Sequence, residues 1–199
     1  MADLCGLSPR KAPRPVPGMK RDDPKAASRA VLGVLVMDRA GVLCRVAELF
    51  SRRGYNIDSL TVGSSAEPGL SRMTIVTRGE DADIEQIMRQ LDKLVDVVCV
   101  DRLGQGAAVF RELALIKLRV PEAAKAEVLR TAWDYEARVL DDSASCLTLE
   151  LISDKEGMDA IVAALEPFGI LELARTGLAS LARGAGGLQG RGFSGAPQD

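Results

Sequence analysis

The hydrophobic residues of this chain show the spacing of strands and the spacing of helices in a fixed order, and that order occurs twice. We call each occurrence a pass. The first pass starts with an apolar run over residues 30–37, which predicts a strand, and a helix over residues 41–53 follows it. Two strands, a second helix and a fourth strand come next, so the first pass takes about 70 residues. The order β-α-β-β-α-β predicts a four-stranded antiparallel sheet with two helices on one face.

The later elements of the first pass each have a local signal. Gly54 is suited to end the first helix, because glycine readily adopts the left-handed conformation found after a helix C-terminus. An acidic segment at 80–83 precedes the second helix, where negative charge favours a helix N-terminus. The predicted strands are 55–63, 70–77 and 95–100, the hairpin loop is 64–69, and the core face of the second helix is Ile84, Ile87, Met88 and Leu91.

The second pass repeats this order with little sequence identity to the first. Its first helix begins at Pro121, a favoured position for proline, and its second begins at a capping-box pattern over 153–156. The predicted strands are 110–120, 135–140, 146–152 and 169–174, with a turn at Asp141-Asp142-Ser143. We therefore predict an α+β protein with two ferredoxin-like domains in tandem, at 30–103 and 111–184, joined by a linker at 104–110.

The segments outside the two passes predict two tails. Residues 1–29 contain five prolines and no hydrophobic periodicity, which indicates a disordered tail. Residues 185–199 are rich in glycine, which indicates a flexible tail. The first tail lacks the apolar core of a secretory signal, and no apolar run approaches the roughly 20 residues of a membrane span. We expect a cytoplasmic protein with no membrane partner.

The composition argues against several kinds of chemistry. The chain has no histidine, which is the commonest general base and metal ligand, and its four cysteines are scattered without a Cys-x-x-Cys pair. We therefore expect no catalytic site and no metal site. The net charge is −2 and aromatic residues are 4%, whereas RNA-recognition domains of the same element order need a basic surface and stacking aromatics. We expect no nucleic-acid partner.

The turn between the first strand and the first helix is the candidate binding site. It contains Asp38 and Gly41, and a glycine here allows a tight turn and lets a ligand approach the backbone N–H groups. The first N–H groups of a helix lack partners within the helix, and the helix dipole makes that end positive. The turn can therefore seat a small carboxylate. A plain strand-to-helix turn is the alternative that the spacing leaves open.

Around this turn the sequence resembles the regulatory (small) subunit of acetolactate synthase. The resemblance rests on DRAGVLCRV at 38–46 and above all on the long and specific string FSRRGYNIDSLTV at 50–62. It continues through PGLSRMTI at 68–75, QLDKLVDV at 90–97, RELALIK at 111–117, ARTG at 174–177 and LARG at 181–184. The similarity covers residues 30–184 and leaves both tails out.

The resemblance implies that the first domain is an ACT domain that binds valine, or another branched-chain amino acid, across a homodimer interface. It also implies the residues of the site, four of which lie in the turn and two of which come from the partner chain. These are Ala40, Gly41, Val42 and Leu43, with Asn56 and Ile57 from the partner. Asp38 belongs to the same loop, where the family usually has asparagine, and Cys44 stands where serine is common. Asp38 can oppose the carboxylate of the ligand or pair with its ammonium group.

The resemblance further implies a partner, the large catalytic subunit, which carries thiamine diphosphate, Mg²⁺ and FAD. That subunit condenses two pyruvates, or pyruvate with 2-oxobutyrate. The chain itself would bind no cofactor, and it would raise the activity of the catalytic subunit and confer feedback inhibition. A free-standing ACT-domain sensor that regulates another enzyme is the alternative.

Overall fold

The structure is a computed structural model that describes residues 28–104, 106–143 and 145–188. The predicted tails fall mostly on residues 1–27 and 189–199, which lie outside the described residues. The first unit consists of β1 (Ser28–Met37), α1 (Val42–Arg53), β2 (Ile57–Ser64), β3 (Leu70–Gly79), α2 (Asp81–Leu91) and β4 (Val97–Arg102). The second consists of β5 (Ala108–Arg119), α3 (Glu122–Asp134), β6 (Arg138–Ser143), β7 (Cys146–Ser153), α4 (Lys155–Leu165), β8 (Ile170–Arg175) and β9 (Ala179–Ala182).

Both sheets are antiparallel and have the same strand order. The first runs β2-β3-β1-β4, and the second runs β6-β7-β5-β8 with β9 paired to the N-terminal part of β5. In each unit the two helices bury one face against the sheet, as their spacing predicts. Val46 and Phe50 of α1 and Ile84 and Ile87 of α2 are at most 1% exposed. The predicted tandem α+β architecture is therefore confirmed.

The start of β4 differs from the prediction, because the end of α2 determines it. The helix ends at Leu91, and the chain then turns, with the N–H of Leu94 donating to Leu91 and the N–H of Val97 donating to Leu94. Val95 therefore points into solvent, 93% exposed, and β4 begins at Val97 rather than at residue 95. A valine run favours a strand locally, but here the closing turn decides where pairing starts.

Strand boundaries in the second unit also differ from the prediction. Asp141-Asp142-Ser143 is not a turn, because β6 continues to Ser143, which pairs with Cys146 in a tight hairpin. β6 begins only at Arg138, since Glu136 takes a left-handed conformation (φ 58°) after α3. β5 begins at Ala108, so the last three residues of the segment 104–110 are strand rather than linker. β1 likewise begins at Ser28, two residues earlier than predicted.

The face of the first sheet that carries no helices is covered by a ribbon of β9 and the start of β5. β9 pairs with residues 108–111 of β5, and this ribbon packs on the sheet through a small apolar cluster. The cluster contains Val31, Val76, Leu103, Ala108 and Leu178. The central strands β1 and β3 are therefore buried on both faces, and the two units contact each other directly. No helix in the described part of the chain is long and apolar enough to span a bilayer.

Candidate functional site

The turn before α1 has the geometry of an uncapped helix N-terminus. Gly41 is the N-cap residue and adopts φ 84°, a left-handed conformation that glycine reaches without steric cost. No side chain caps the helix, and the N–H groups of Ala40, Gly41 and Leu43 donate to no other described residue. These exposed N–H groups and the positive end of the helix dipole can together bind a carboxylate.

A guanidinium group stands beside the same turn. Nη1 of Arg45 lies 3.2 Å from the position that a Cβ on Gly41 would occupy, and Nη2 of Arg45 pairs with Oδ2 of Asp96 at 2.7 Å. Asp96 is only 7% exposed, so this ion pair holds the guanidinium in place. Asp38 is exposed at the edge of the turn, and its backbone N–H donates to the carbonyl of Gly69. The turn thus offers a fixed positive group beside the free N–H groups.

The second half of the predicted site is an ordered polar group at the start of β2. Nδ2 of Asn56 donates to Oδ1 of Asp58 at 3.0 Å, and the carbonyl of Asn56 accepts from Oγ1 of Thr77 at 2.6 Å. Asp58 is itself held by Nε of Arg78 at 2.7 Å. Because the amide nitrogen of Asn56 already donates to Asp58, its Oδ1 atom is available to accept a hydrogen bond from an ammonium group. Ile57 is half-buried next to it.

Within one chain the two halves of the site lie at opposite ends of the first sheet. Met37, which precedes the turn, pairs with Leu70, whereas Ile57 pairs with Thr77. Leu70 and Thr77 are seven residues apart along β3, which corresponds to roughly 23 Å of extended strand. One amino acid is far too small to contact both ends. The residues Ala40–Leu43 and Asn56–Ile57 can therefore share a ligand only if two chains supply them.

The described residues show no grouping suited to metal-dependent chemistry. No three His, Cys, Asp or Glu side chains in this part of the chain lie together as a metal site. Arg175 instead forms ion pairs with Glu112 at 2.7 Å and with Asp159 at 2.9 Å.

Comparison with known proteins identifies the family. Two family models match the chain: one described as an AHAS small subunit-like ACT domain over residues 32–99, and one described as the small subunit of acetolactate synthase over residues 111–184. The acetolactate synthase small subunit of Mycolicibacterium smegmatis is 43% identical over 157 residues, which are 79% of this chain and 92% of that protein. The chain belongs to the acetolactate synthase small-subunit family. The small subunit of isozyme 3 from Salmonella typhimurium, also 43% identical, is matched over 78% of this chain and 96% of its own length.

A solved small-subunit structure agrees with both the sequence and the fold. The crystal structure of the acetolactate synthase small subunit from Thermotoga maritima is 37% identical, with a TM-score of 0.74, and the match covers 78% of this chain and 98% of that one. The predicted family, with its ACT domain first, is therefore confirmed. Membership of this family makes the chain a regulatory subunit whose partner is the large catalytic subunit, and the cofactors of the enzyme belong to that partner.

The sequence had a weak signal for Arg45 and none for two other residues that organise the two halves of the site. Arg45 lies four positions after Gly41, a spacing that places it over the first helical turn, and this spacing was the available clue. Its partner Asp96 is distant in sequence, so their ion pair could not be predicted. The same is true of Thr77, which orients Asn56 from a neighbouring strand. Cys44 is exposed on α1, whereas a buried position is more usual for a free cysteine.

Proposed function

We propose that this small subunit raises the activity of the acetolactate synthase catalytic subunit and confers feedback inhibition by valine in branched-chain amino acid biosynthesis. The observation that supports the proposal is the uncapped turn at Gly41, with free N–H groups beside the guanidinium of Arg45. This arrangement suits the carboxylate of a free amino acid. In this proposal, residues 30–103 sense the ligand, and residues 104–110 and 111–184 connect sensing to the partner.

The three parts of a bound valine would each meet a matching group. Its carboxylate would accept hydrogen bonds from the N–H groups of Ala40, Gly41 and Leu43 at the helix N-terminus. Its ammonium group would donate to Oδ1 of Asn56 from the partner chain. The side chain of valine would contact Leu43, which is 45% exposed in the single chain, and Ile57 of the partner. Contact with the ligand would therefore bury apolar surface that is now open to water.

A homodimer formed through β2 would complete this site. β2 is an edge strand, with exposed residues such as Val62 (43%), and an unpaired edge can pair with a second chain. In a two-fold dimer the two β2 strands would run antiparallel. Ser64 lies at the Met37 end of the sheet and Ile57 at the other, so this pairing would bring the partner's Ile57 towards the Asp38 turn of the first chain.

In this proposal only the catalytic subunit carries out the chemical reaction. That subunit would bind thiamine diphosphate, Mg²⁺ and FAD and condense two pyruvates, or pyruvate with 2-oxobutyrate, in the cytoplasm. The small subunit would act on this reaction only by contact. Valine binding would change the free energy of that contact, which is the physical requirement for allosteric inhibition.

Reconstitution with the catalytic subunit tests the proposal. We expect the purified small subunit to raise the rate of acetolactate formation by about tenfold or more, and valine to lower that rate, because the ligand site lies in the subunit that activates. The catalytic subunit alone, with and without valine, is the control and should show no inhibition by valine. Calorimetric valine binding without any change in rate would contradict the proposal and favour a free-standing sensor.

Asp38 is the residue in the loop whose charge the ligand has to accommodate. We expect Asp38→Asn to change the dissociation constant of valine by less than about fivefold, because an exposed carboxylate interacts weakly through water. The measurement is isothermal titration calorimetry of both proteins, with the exposed Asp101→Asn on β4 as a matched control. Loss of valine binding in the Asp38→Asn variant would show that this carboxylate binds the ammonium group directly.

A further inference from the structure

Residues 176–181 cross the first sheet on the face that carries no helices, and we call them the crossing segment. Leu178 and Ser180 of this segment are 3% and 5% exposed. Nη2 of Arg72 on β3 donates to the carbonyl of Ser180 at 2.7 Å, and the hydroxyls of Thr74 and Ser180 lie 3.3 Å apart. The crossing segment is therefore bound to the sheet by specific polar contacts as well as by apolar burial.

Two of its contacts are made to β2. Oγ1 of Thr61 donates to the carbonyl of Thr176 at 3.0 Å, and the N–H of Leu178 donates to Oγ of Ser59 at 3.3 Å. Between them Gly177 adopts φ 80°, and a Cβ at this position would lie 2.4 Å from Oγ of Ser59. The backbone of the crossing segment thus approaches β2 as closely as a glycine allows.

The same end of the crossing segment is anchored in the second unit through Arg175, which directly precedes it, and through Thr176. Arg175 donates from Nε and Nη2 to the two carboxylate oxygens of Glu112 at 2.9 and 2.7 Å, and from Nη1 to Asp159 at 2.9 Å. Hydrogen bonding to Glu112, followed by that to Asp159, raises the pKa of the Arg175 guanidinium above its usual value. Glu112 is only 6% exposed, and Thr176 also bonds to the backbone of Leu113. This anchor makes the crossing segment move with the second unit.

β2 is also the strand that begins at Ile57, directly after Asn56. Ser59 and Thr61 follow Ile57 by two and four residues, which corresponds to roughly 7 and 13 Å of extended strand. Asn56 and Ile57 line one wall of a groove between the units, and Arg175, Thr176 and Gly177 line the other. A displacement of the start of β2 would therefore displace the crossing segment directly, because no other element lies between them.

We propose that Ser59 and Thr61 are positioning residues that couple occupancy of the amino-acid site on β2 to the placement of the second unit, through the crossing segment. This inference rests on the proposed function. Neither side chain belongs to the set that contacts the ligand. Their hydrogen bonds to the crossing segment make a shift of β2 unfavourable unless the second unit shifts with it. Ligand binding and the position of the second unit are therefore linked by a coupling free energy.

The Ser59→Ala/Thr61→Val double variant tests this coupling. Thr148→Val on β7 is the matched control, because Thr148 is half-buried on a sheet face and its side chain hydrogen-bonds to no other described residue. We expect the double variant to activate the catalytic subunit as the wild-type chain does and to bind valine within about twofold of wild-type affinity. We also expect its residual activity at saturating valine to be about threefold or more above that of the wild-type enzyme.

A second variant changes the other partner in the same contact, Gly177 of the crossing segment. In Gly177→Ala the new Cβ would collide with Ser59, whereas Gly184→Ala has a similar φ of 77° and no neighbouring atom within 4 Å. We expect Gly177→Ala to lose inhibition and keep valine binding, and Gly184→Ala to keep both. This pair separates coupling from backbone strain if the double variant folds poorly.

The outcomes separate this inference from the function on which it rests. If the wild-type chain neither binds valine nor confers inhibition, the proposed function fails. If the wild-type chain does both and the double variant and Gly177→Ala are inhibited equally well, the coupling is wrong and the proposed function stands. A loss of valine affinity of about tenfold in either variant would also overturn the coupling, because these residues would then form part of the ligand site itself.

Discussion

We expect the Gly41→Ala variant to bind valine about tenfold or more weakly than the wild-type chain, and to leave the reconstituted enzyme active at valine concentrations that inhibit the wild type. Gly41 adopts φ 84°, which costs an alanine about 1 kcal/mol or more. Its Cβ would also lie 3.2 Å from Nη1 of Arg45, so the guanidinium or the turn has to shift. Either shift misplaces the N–H groups that would bind the carboxylate.

The control for this variant is Gly169→Ala in the second unit. Gly169 has the same φ of 84° and no atom within 4 Å of its hypothetical Cβ, so an alanine there also carries the strain of a positive φ, without touching the turn. We expect both variants to lose some thermal stability and only Gly41→Ala to lose valine binding, as measured by calorimetry and by inhibition of the reconstituted enzyme. Unchanged valine affinity in Gly41→Ala would rule out the turn as the carboxylate site.

The second large expected effect is the recovery of valine binding when two different variant chains form one dimer. Neither Gly41→Ala nor Asn56→Ala homodimers should bind valine well, because each of their two sites carries one damaged half. In a heterodimer of the two variants, one site carries both changes and the other carries neither. We therefore expect a heterodimer purified through two different tags to bind valine at about half of the wild-type stoichiometry and with wild-type affinity. Titration calorimetry measures both quantities.

The matched control for complementation combines two changes in the same half of the site. A heterodimer of Gly41→Ala and Leu43→Asp has a damaged turn in each of its sites, so we expect no recovery of valine binding. No recovery in the Gly41→Ala/Asn56→Ala heterodimer would contradict a site shared between two chains. Recovery in the control would show that one of its two changes leaves the turn able to bind valine.

The sequence predicted the helices well and the short strands less well. The residues of α1 were predicted at 41–53 and are found at Val42–Arg53, because a three- and four-residue repeat and Gly54 are local signals. β9 was missed, since Ala179–Ala182 is short and rich in small residues, and only pairing with β5 makes it a strand. The turn predicted at Asp141-Asp142-Ser143 failed for a related reason: polar residues on an exposed edge strand look like a loop.

The sequence by itself determined the order of the elements from β1 to β8, the family, and the glycine turn at residues 38–41. These features depend on periodicity, on the conformational freedom of Gly41 and on residues that lie close together in the chain. Only the tertiary structure decided that Asn56 and Ile57 lie at the opposite end of the sheet from that turn, and that Thr61 contacts Thr176 across 115 positions. Strand register and contacts between distant segments follow from packing, because no local preference specifies which strand lies beside which.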